Sequence, residues 1–167
     1  ILVTRFAAIG DCVMTAWAVT ALRKAMSESN IVWAVQERCS PVIDTNLLVN
    51  KLQVFPRETW KKNRWSPKTW QDQLVKYTSL RKEKFDVGFD FQGHSKTALC
   101  MKLAGCTERY ASRATDAFAK LLTAPSLEYK YSKHEVLNAM DLVRLKFGVE
   151  LPDSCLMPKY DVESPIV

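Results

Sequence analysis

The sequence predicts one α/β domain, built on an open parallel sheet with helices covering both of its faces. Short apolar, β-branched runs alternate along the chain with longer segments of helical periodicity, which is the order expected of parallel βαβ units joined by right-handed crossovers. The length of 167 residues suits one ordinary domain with a single core. Sheets of this Rossmann-like class bind ligands beyond the carboxyl ends of their strands, so we expect functional residues at that edge.

The first three strands and the first helix are predicted within residues 1–55. An apolar run at residues 1–4 predicts the first strand, and a helix that is apolar on nearly every face follows over residues 12–22. This helix ends at Arg23 and Lys24, where cations suit the helix dipole. Second and third strands are predicted, with a short helix or loop between them, at residues 31–35 and 51–55.

The later elements continue the alternation. Positions 70, 74, 77 and 81 follow the rhythm of an amphipathic, basic helix that begins near Ser66, a candidate cap, and Pro67. A fourth strand, a helix, a fifth strand and a last helix are predicted at residues 85–91, 96–104, 108–112 and 136–147. We expect the domain to cover residues 1–150, and residues 151–167, which contain three prolines, to begin an interdomain linker.

Composition argues against several classes of protein. No apolar run approaches the roughly 20 residues of a membrane-spanning helix, and no secretory leader opens the chain. The five cysteines are odd in number and contain no C-x-x-C pair, so neither a disulfide framework nor a metal site is predicted. These features favour a reducing, cytoplasmic location.

The positive charge is concentrated in one stretch. Residues 51–86 hold ten cations against four anions and so carry the whole formal net charge of +6. Nucleic acid, acidic lipid and anionic sugars are all possible partners for such a surface, and a solvated helix face is the plainer explanation. Trp60, Trp65 and Trp70 lie in this stretch, and aromatic rings among cations can stack on sugars or bases.

The loop after the first strand contains Asp11. The loop has a single glycine, Gly10, so it lacks the G-x-G-x-x-G fingerprint of dinucleotide folds, which disfavours a nicotinamide or flavin cofactor. Asp11 is explained either as a helix cap or as a general base that removes a proton from an acceptor hydroxyl. A helix N-terminus weakens a carboxylate as a base, so an apolar wall from Phe6 or Ile9 would have to offset it.

The loop after the fourth strand gathers Asp90, Gln92, Gly93 and Lys96 around one turn. Gly93 allows the backbone to approach a ligand closely, and Ser95 is a candidate cap for the next helix. Lys96 is predicted in the first turn of that helix, where a cation opposes the helix dipole and costs some stability. The placement therefore favours a ligand-binding role for Lys96 over a structural one.

Taken in order, these landmarks resemble the lipopolysaccharide heptosyltransferase family, also called glycosyltransferase family nine, whose members have the two-domain GT-B fold. The resemblance runs from residue 1 to residue 148, nearly the whole chain. Its matching pieces are residues 1–5 with Gly10-Asp11, 21–25, 33–38, 54–57 with 60–62, 85–87, 90–93 with 96–99, 103–105 and 134–136. The family usually has two small hydroxyl residues where this chain has Ala7-Ala8, so hydrogen bonds from that loop are lost or come from the backbone.

The resemblance implies a function. Family members transfer heptose from ADP-heptose to the Kdo-containing inner core of lipid A, with inversion and without an essential metal or other cofactor. It implies that Asp11 is the general base, that this N-terminal domain binds the acceptor, and that a C-terminal domain absent from this chain holds the nucleotide sugar. We expect the domain alone to be inactive.

The acceptor implied by the resemblance carries phosphates and sugar carboxylates, which would explain the basic stretch. The same surface would favour peripheral contact with the inner membrane, and no nucleic acid partner is expected. The alternative is a non-catalytic domain that binds an anionic glycolipid or a nucleotide. The candidate substrate-binding residues are Arg57, Lys61, Lys62, Arg64, Gln92, Lys96 and Arg113.

Overall fold

The computed structural model describes residues 1–43, 48–124 and 132–148. Its centre is a five-stranded, wholly parallel sheet in the order β3-β2-β1-β4-β5. This order confirms the predicted Rossmann-like class, because the chain runs outward from β1 in one direction and then returns to build the other side. The strands are Leu2–Thr4 (β1), Val32–Gln36 (β2), Lys51–Phe55 (β3), Val87–Asp90 (β4) and Glu108–Ala111 (β5).

Helices cover both faces of the sheet. Neighbouring residues of its central strands point to opposite faces, and both are therefore buried. Val3 and Trp33 belong to the core that α1 and α6 cover, while Leu2 and Val32 belong to the core under α3 and α4. The helices are Ile9–Ala25 (α1), Arg57–Lys62 (α2), Pro67–Ser79 (α3), Ser95–Leu103 (α4), Ala117–Leu122 (α5) and Glu135–Phe147 (α6).

All five predicted strands are present, with ends that differ by up to two residues. The first helix begins earlier than predicted, so that Gly10 and Asp11 lie in its first turn. The sequence did not predict α2 and α5, since six residues are too few to show a helical period. The predicted linker at residues 151–167 lies outside the described residues. Within those residues, no helix is long and apolar enough to cross a membrane.

The positions that define the predicted rhythm of α3 are not all buried. Trp70 and Leu74 are 58% and 50% exposed. Tyr77 is buried instead in an aromatic cluster, with ring centroids 5.1 Å from Phe55 and 5.9 Å from Trp60. The α-helix also ends at Ser79, so the predicted position 81 falls in a 3-10 turn over Leu80–Glu83. Packing against this cluster, and not the apolar rhythm of the helix, decides which side is buried.

The two loops singled out in the sequence emerge side by side. β1 and β4 are neighbours, with Thr4 paired to Asp90, and the helices that follow them cover opposite faces of the sheet. The crevice between such strands is the point at which open α/β sheets bind ligands. The loop of Asp11 and the loop of Lys96 therefore share the edge where the sequence predicted function.

Gly93 fixes the path of the second loop. Its φ is +73°, and a Cβ added there would lie 1.9 Å from the backbone oxygen of Arg113. Both the left-handed conformation and this close approach require glycine.

We expect Gly93→Ala to lower the free energy of unfolding by about 2 to 4 kcal/mol, since it adds backbone strain to a clash with main chain. Gly10→Ala is the matched control, because a Cβ there meets nothing within 4 Å and alanine favours the helix by up to about 1 kcal/mol. Denaturant unfolding of both variants measures the difference. Equal stabilities would contradict this account of the loop.

Candidate functional site

Side chains and backbone tie the two loops of the carboxyl edge together. The Phe6 N–H donates to Gln92 Oε1 at 3.0 Å, and the Phe91 N–H donates to the Thr4 oxygen at 3.1 Å. Gln92, a predicted substrate-binding residue, thus holds one loop against the other through its carbonyl. The edge is a connected unit before any ligand is bound.

Arg5 lies at the centre of this unit. Its side chain is only 3% exposed, and one of its N–H groups donates to the Phe91 carbonyl. Arg5 NH2 pairs with Asp11 Oδ2 at 2.6 Å, and Arg5 NH1 lies 3.4 Å from Glu135 Oε1. The guanidinium joins the loop after β4 to the first turns of α1 and α6. This role of Arg5 could not be predicted from the sequence, because its partners are far apart in the chain.

Asp11 caps the start of α1 and is also accessible to solvent. Its side chain is 37% exposed, and Oδ2 accepts the Ala8 N–H at 3.1 Å in addition to the ion pair with Arg5. Among the described residues, no hydrogen bond or ion pair reaches Oδ1. Phe6, a predicted apolar wall, packs against the Phe55 ring with a centroid distance of 5.6 Å, and the contacts that hold Asp11 are the ion pair and the backbone hydrogen bond. The cap and the general base are therefore compatible, because they use different oxygens.

Asp90 shapes the second loop from inside the protein. Oδ1 accepts the N–H groups of Gln92 and Gly93, both at 2.9 Å, and Oδ2 accepts the Thr97 hydroxyl at 2.7 Å. Burial raises the pKa of Asp90 to about 6, and these hydrogen bonds oppose the rise. The residue is structural, and it holds the turn that leads to Lys96.

The start of α4 depends on an acidic residue that the sequence analysis did not single out. His94 occupies the N-cap, one residue before the predicted cap Ser95. Asp116 accepts the Ser95 N–H at 3.0 Å and its hydroxyl at 2.6 Å, and also the Ala119 N–H at 2.8 Å. These bonds lower the pKa of Asp116 to about 2. Its position before an apolar run of residues was the available signal.

A cleft of about 360 Å³ opens at this edge between α2, α3 and α4. It brings together four of the predicted substrate-binding residues, the cations Arg57, Lys61, Arg64 and Lys96. None of the described residues that line it carries a carboxylate. Desolvation, followed by the charges of Arg57 and Lys61, lowers the pKa of Lys96. The other lining residues are Trp60, Trp70, Gln73, Tyr77, Ser95, Leu99 and Phe118.

Packing holds Arg57, one of the four cations of the cleft, in place. The Arg57 guanidinium lies 5.3 Å from the Phe6 ring centroid and 5.7 Å from that of Trp60, distances at which a cation is attracted to an aromatic face. Phe6 follows β1, so Arg57 also connects the cleft to the loop that precedes Asp11. An anionic group that entered the cleft would meet four cations, of which Arg57 is held against two aromatic rings.

Three predicted substrate-binding residues do not line the cleft. Lys62 is exposed at the end of α2, Gln92 bonds to Phe6, and Arg113 packs behind Gly93. Their binding roles stay predictions. Among the described residues, no three His, Cys, Asp or Glu side chains gather as a metal site requires.

Comparison with known proteins supports the fold. No family model and no curated protein sequence matches the chain. The structure of E. coli heptosyltransferase WaaC with ADP-2-deoxy-2-fluoro heptose is similar, with 18% identity and a TM-score of 0.79 over 92% of this chain and 50% of that chain. The structure of E. coli ADP-heptose lps heptosyltransferase II is 17% identical, with a TM-score of 0.68 over 84% of this chain and 39% of that chain. A glycosyl transferase family 9 structure from Veillonella parvula DSM 2008 is 13% identical, with a TM-score of 0.65 over 86% of this chain and 39% of that chain.

These likenesses define the class of the domain as a Rossmann-like domain of the kind found in GT-B glycosyltransferases. Within that class, the structures it resembles are heptosyltransferases, which confirms the predicted resemblance at the level of the fold. The chain spans about half the length of WaaC, which has been solved with ADP and with an ADP-heptose analogue.

The buried carboxyl of Asp90 predicts a pH dependence of stability. Its folded pKa of about 6 lies above the ordinary value of 3.8, so the folded state holds a proton that the unfolded chain releases first. The contribution of Asp90 to stability therefore falls as pH rises from about 4 to about 6. The full shift corresponds to roughly 3 kcal/mol.

Asp90→Asn removes this titration and keeps an oxygen for the two backbone N–H groups. We expect wild type to lose stability relative to Asp90→Asn between pH 4 and pH 6, as measured by denaturant unfolding at several pH values. Parallel stability curves would show that Asp90 does not titrate in this range.

Proposed function

We propose that this chain is the acceptor-binding domain of an inverting glycosyltransferase, which transfers heptose from ADP-heptose to the lipopolysaccharide inner core at the cytoplasmic face of the inner membrane. The observation that carries the proposal is the cleft with four cations, which opens at the same sheet edge as the accessible carboxylate of Asp11. The fold is shared with heptosyltransferases, two of whose structures hold ADP or an ADP-heptose analogue. The nucleotide sugar would bind mainly to a further domain.

The cleft suits the acceptor by its charge and its apolar surface. Arg57 and Arg64 can each hold a phosphate or a sugar carboxylate through two parallel hydrogen bonds. Lys61 and Lys96 add point charges on either side. The partly exposed ring of Trp70 offers a flat apolar face to a sugar. Such a site recognises an anionic saccharide rather than a neutral one.

Asp11 supplies the base. As the acceptor hydroxyl oxygen forms its bond to the anomeric carbon, its proton passes to Asp11 Oδ1. The bond from that carbon to the diphosphate breaks on the opposite face, and ADP leaves with the electron pair, so the configuration is inverted. Arg5 and the Ala8 N–H hold Oδ2 and so fix the direction of the other oxygen, which is the positioning that catalysis needs.

A second candidate function is binding without catalysis, of an anionic glycolipid or of a nucleotide. The cationic lining of the cleft supports it, because such a lining would attract an anionic glycolipid or the diphosphate of a nucleotide. A nucleotide-binding module would bind ADP through this domain alone. The acceptor-domain proposal places most ADP affinity elsewhere.

In the full-length protein we expect Asp11→Asn to lower kcat for transfer from ADP-heptose to Kdo-lipid A by about 10²- to 10⁴-fold. Acceptor affinity should be retained, since asparagine can still accept the Ala8 N–H. Transfer is measured by ADP release and by the mass of the glycosylated product. Unchanged turnover would refute the assignment of the base and favour the binding module.

Removing cations from the cleft should weaken acceptor binding. With a water-soluble, deacylated acceptor, we expect Lys61→Gln combined with Arg64→Gln to raise KM by at least about 10-fold, because charge-assisted hydrogen bonds are worth roughly 1.5 to 3 kcal/mol each. The matched control is Lys68→Gln combined with Lys82→Gln, which removes the same number of charges from two exposed lysines outside the cleft lining. An equal rise in KM for the control would mean that net charge, and not the cleft, binds the acceptor.

A further inference from the structure

The outer side of α3 and the turn before it expose large apolar side chains. Trp65 is 82% exposed, and the exposed fractions of Trp70, Leu74 and Val75 are 58%, 50% and 57%. Trp70 and Leu74 are one helical turn apart and Val75 follows, while Tyr77 is on the buried side. We call these four exposed residues the α3 apolar surface. Most of their area faces solvent, so the core does not explain them.

Basic side chains flank the α3 apolar surface. Lys62 ends α2 and Lys68 lies in the first turn of α3, and both are exposed. Asp72 is the one acidic residue in the sequence of α3. Its carboxylate accepts the Trp60 Nε1–H at 2.7 Å and lies 3.6 Å from Lys76 Nζ. The carboxylate of α3 is therefore already bonded within the protein, and the surface presents apolar groups beside two exposed cations, Lys62 and Lys68.

This combination fits a bilayer better than other partners. The cores of protein interfaces are depleted in lysine, whereas tryptophan and basic residues together are typical of the membrane interface. A single-stranded nucleic acid would use aromatic rings and cations but would gain little from Leu74 and Val75. Anionic phospholipid offers phosphates for the lysines and an apolar layer beneath them for the other side chains.

We propose that the α3 apolar surface inserts into the headgroup region of an anionic phospholipid bilayer, with Lys62 and Lys68 on the lipid phosphates. Trp70 also lines the cationic cleft, so the mouth of the cleft would lie at the lipid surface. Resting on the proposed function, this arrangement lets a lipid-anchored saccharide enter the cleft without leaving the bilayer.

The test is binding of the full-length protein to vesicles that contain no glycolipid. Wild type should bind vesicles of phosphatidylethanolamine and phosphatidylglycerol, bind phosphatidylcholine vesicles weakly, and lose binding as salt is raised. Trp65→Ser combined with Leu74→Ser and Val75→Ser should lower the partition coefficient by at least about 10-fold. Lys62→Gln combined with Lys68→Gln should lower it by about 30-fold, from about 1 kcal/mol for each lysine.

The matched control carries its substitutions on α1 and α6, the helices that cover the other face of the sheet. Leu145 is 46% exposed on α6 and Lys24 is exposed at the end of α1, so Leu145→Ser combined with Lys24→Gln should bind like wild type. Because every substituted side chain is largely exposed, thermal unfolding should confirm that all variants fold. Failure of wild type to bind anionic vesicles, or equal binding by all variants, would overturn the membrane surface.

Transfer to a water-soluble acceptor separates this proposal from the proposed function. Transfer without vesicle binding would overturn the membrane surface alone. Vesicle binding that depends on Trp65 and Lys62, in a protein without transfer activity, would support the surface and count against the glycosyltransferase.

Discussion

The buried guanidinium of Arg5 ties the loop after β4 to the first turns of α1 and α6. It takes the Phe91 carbonyl, the carboxylate of Asp11 and the carboxylate of Glu135 as partners. An unpaired charge at a site that is 3% exposed would cost several kcal/mol, so the loops and helix starts must stay where these oxygens surround it. The same requirement that closes the carboxyl edge also orients the proposed base.

Arg5 is paired with carboxylates, whereas the cations of the cleft are gathered without any among its described lining residues. These cations are Arg57, Lys61, Arg64 and Lys96, and Lys96 stands at a helix N-terminus, which disfavours a cation. Desolvation, followed by the charges of Arg57 and Lys61, lowers the pKa of Lys96, so its charged form is disfavoured in the cleft. A fold gains nothing from such an arrangement by itself, whereas an anionic ligand would relieve it. Stability given up at a binding site is a common consequence of function.

Features set by residues near one another in the chain could be predicted from the sequence, whereas contacts between distant residues could not. The strands were predictable because each is short, apolar and set between helices. The last helix was also predictable, since its pattern stops at Gly148, which has the left-handed conformation of a helix end. The orientation of α3 was not, because Tyr77 is buried by Phe55 and Trp60 and the sequence does not show which rings will meet. The partners of Arg5 and of Ser95 were hidden for the same reason.

The sequence by itself determined the class of fold, and it predicted the carboxyl edge as the place of function and a set of charged residues at that edge. These follow from local periodicity, charge and turn chemistry, which need no knowledge of distant contacts. Tertiary structure decided which candidates share a site. Four cations line one cleft, while Lys62, Gln92 and Arg113 lie outside it. The physical reason is that pairing, burial and ring packing join residues far apart in the chain, and only the folded backbone sets those distances.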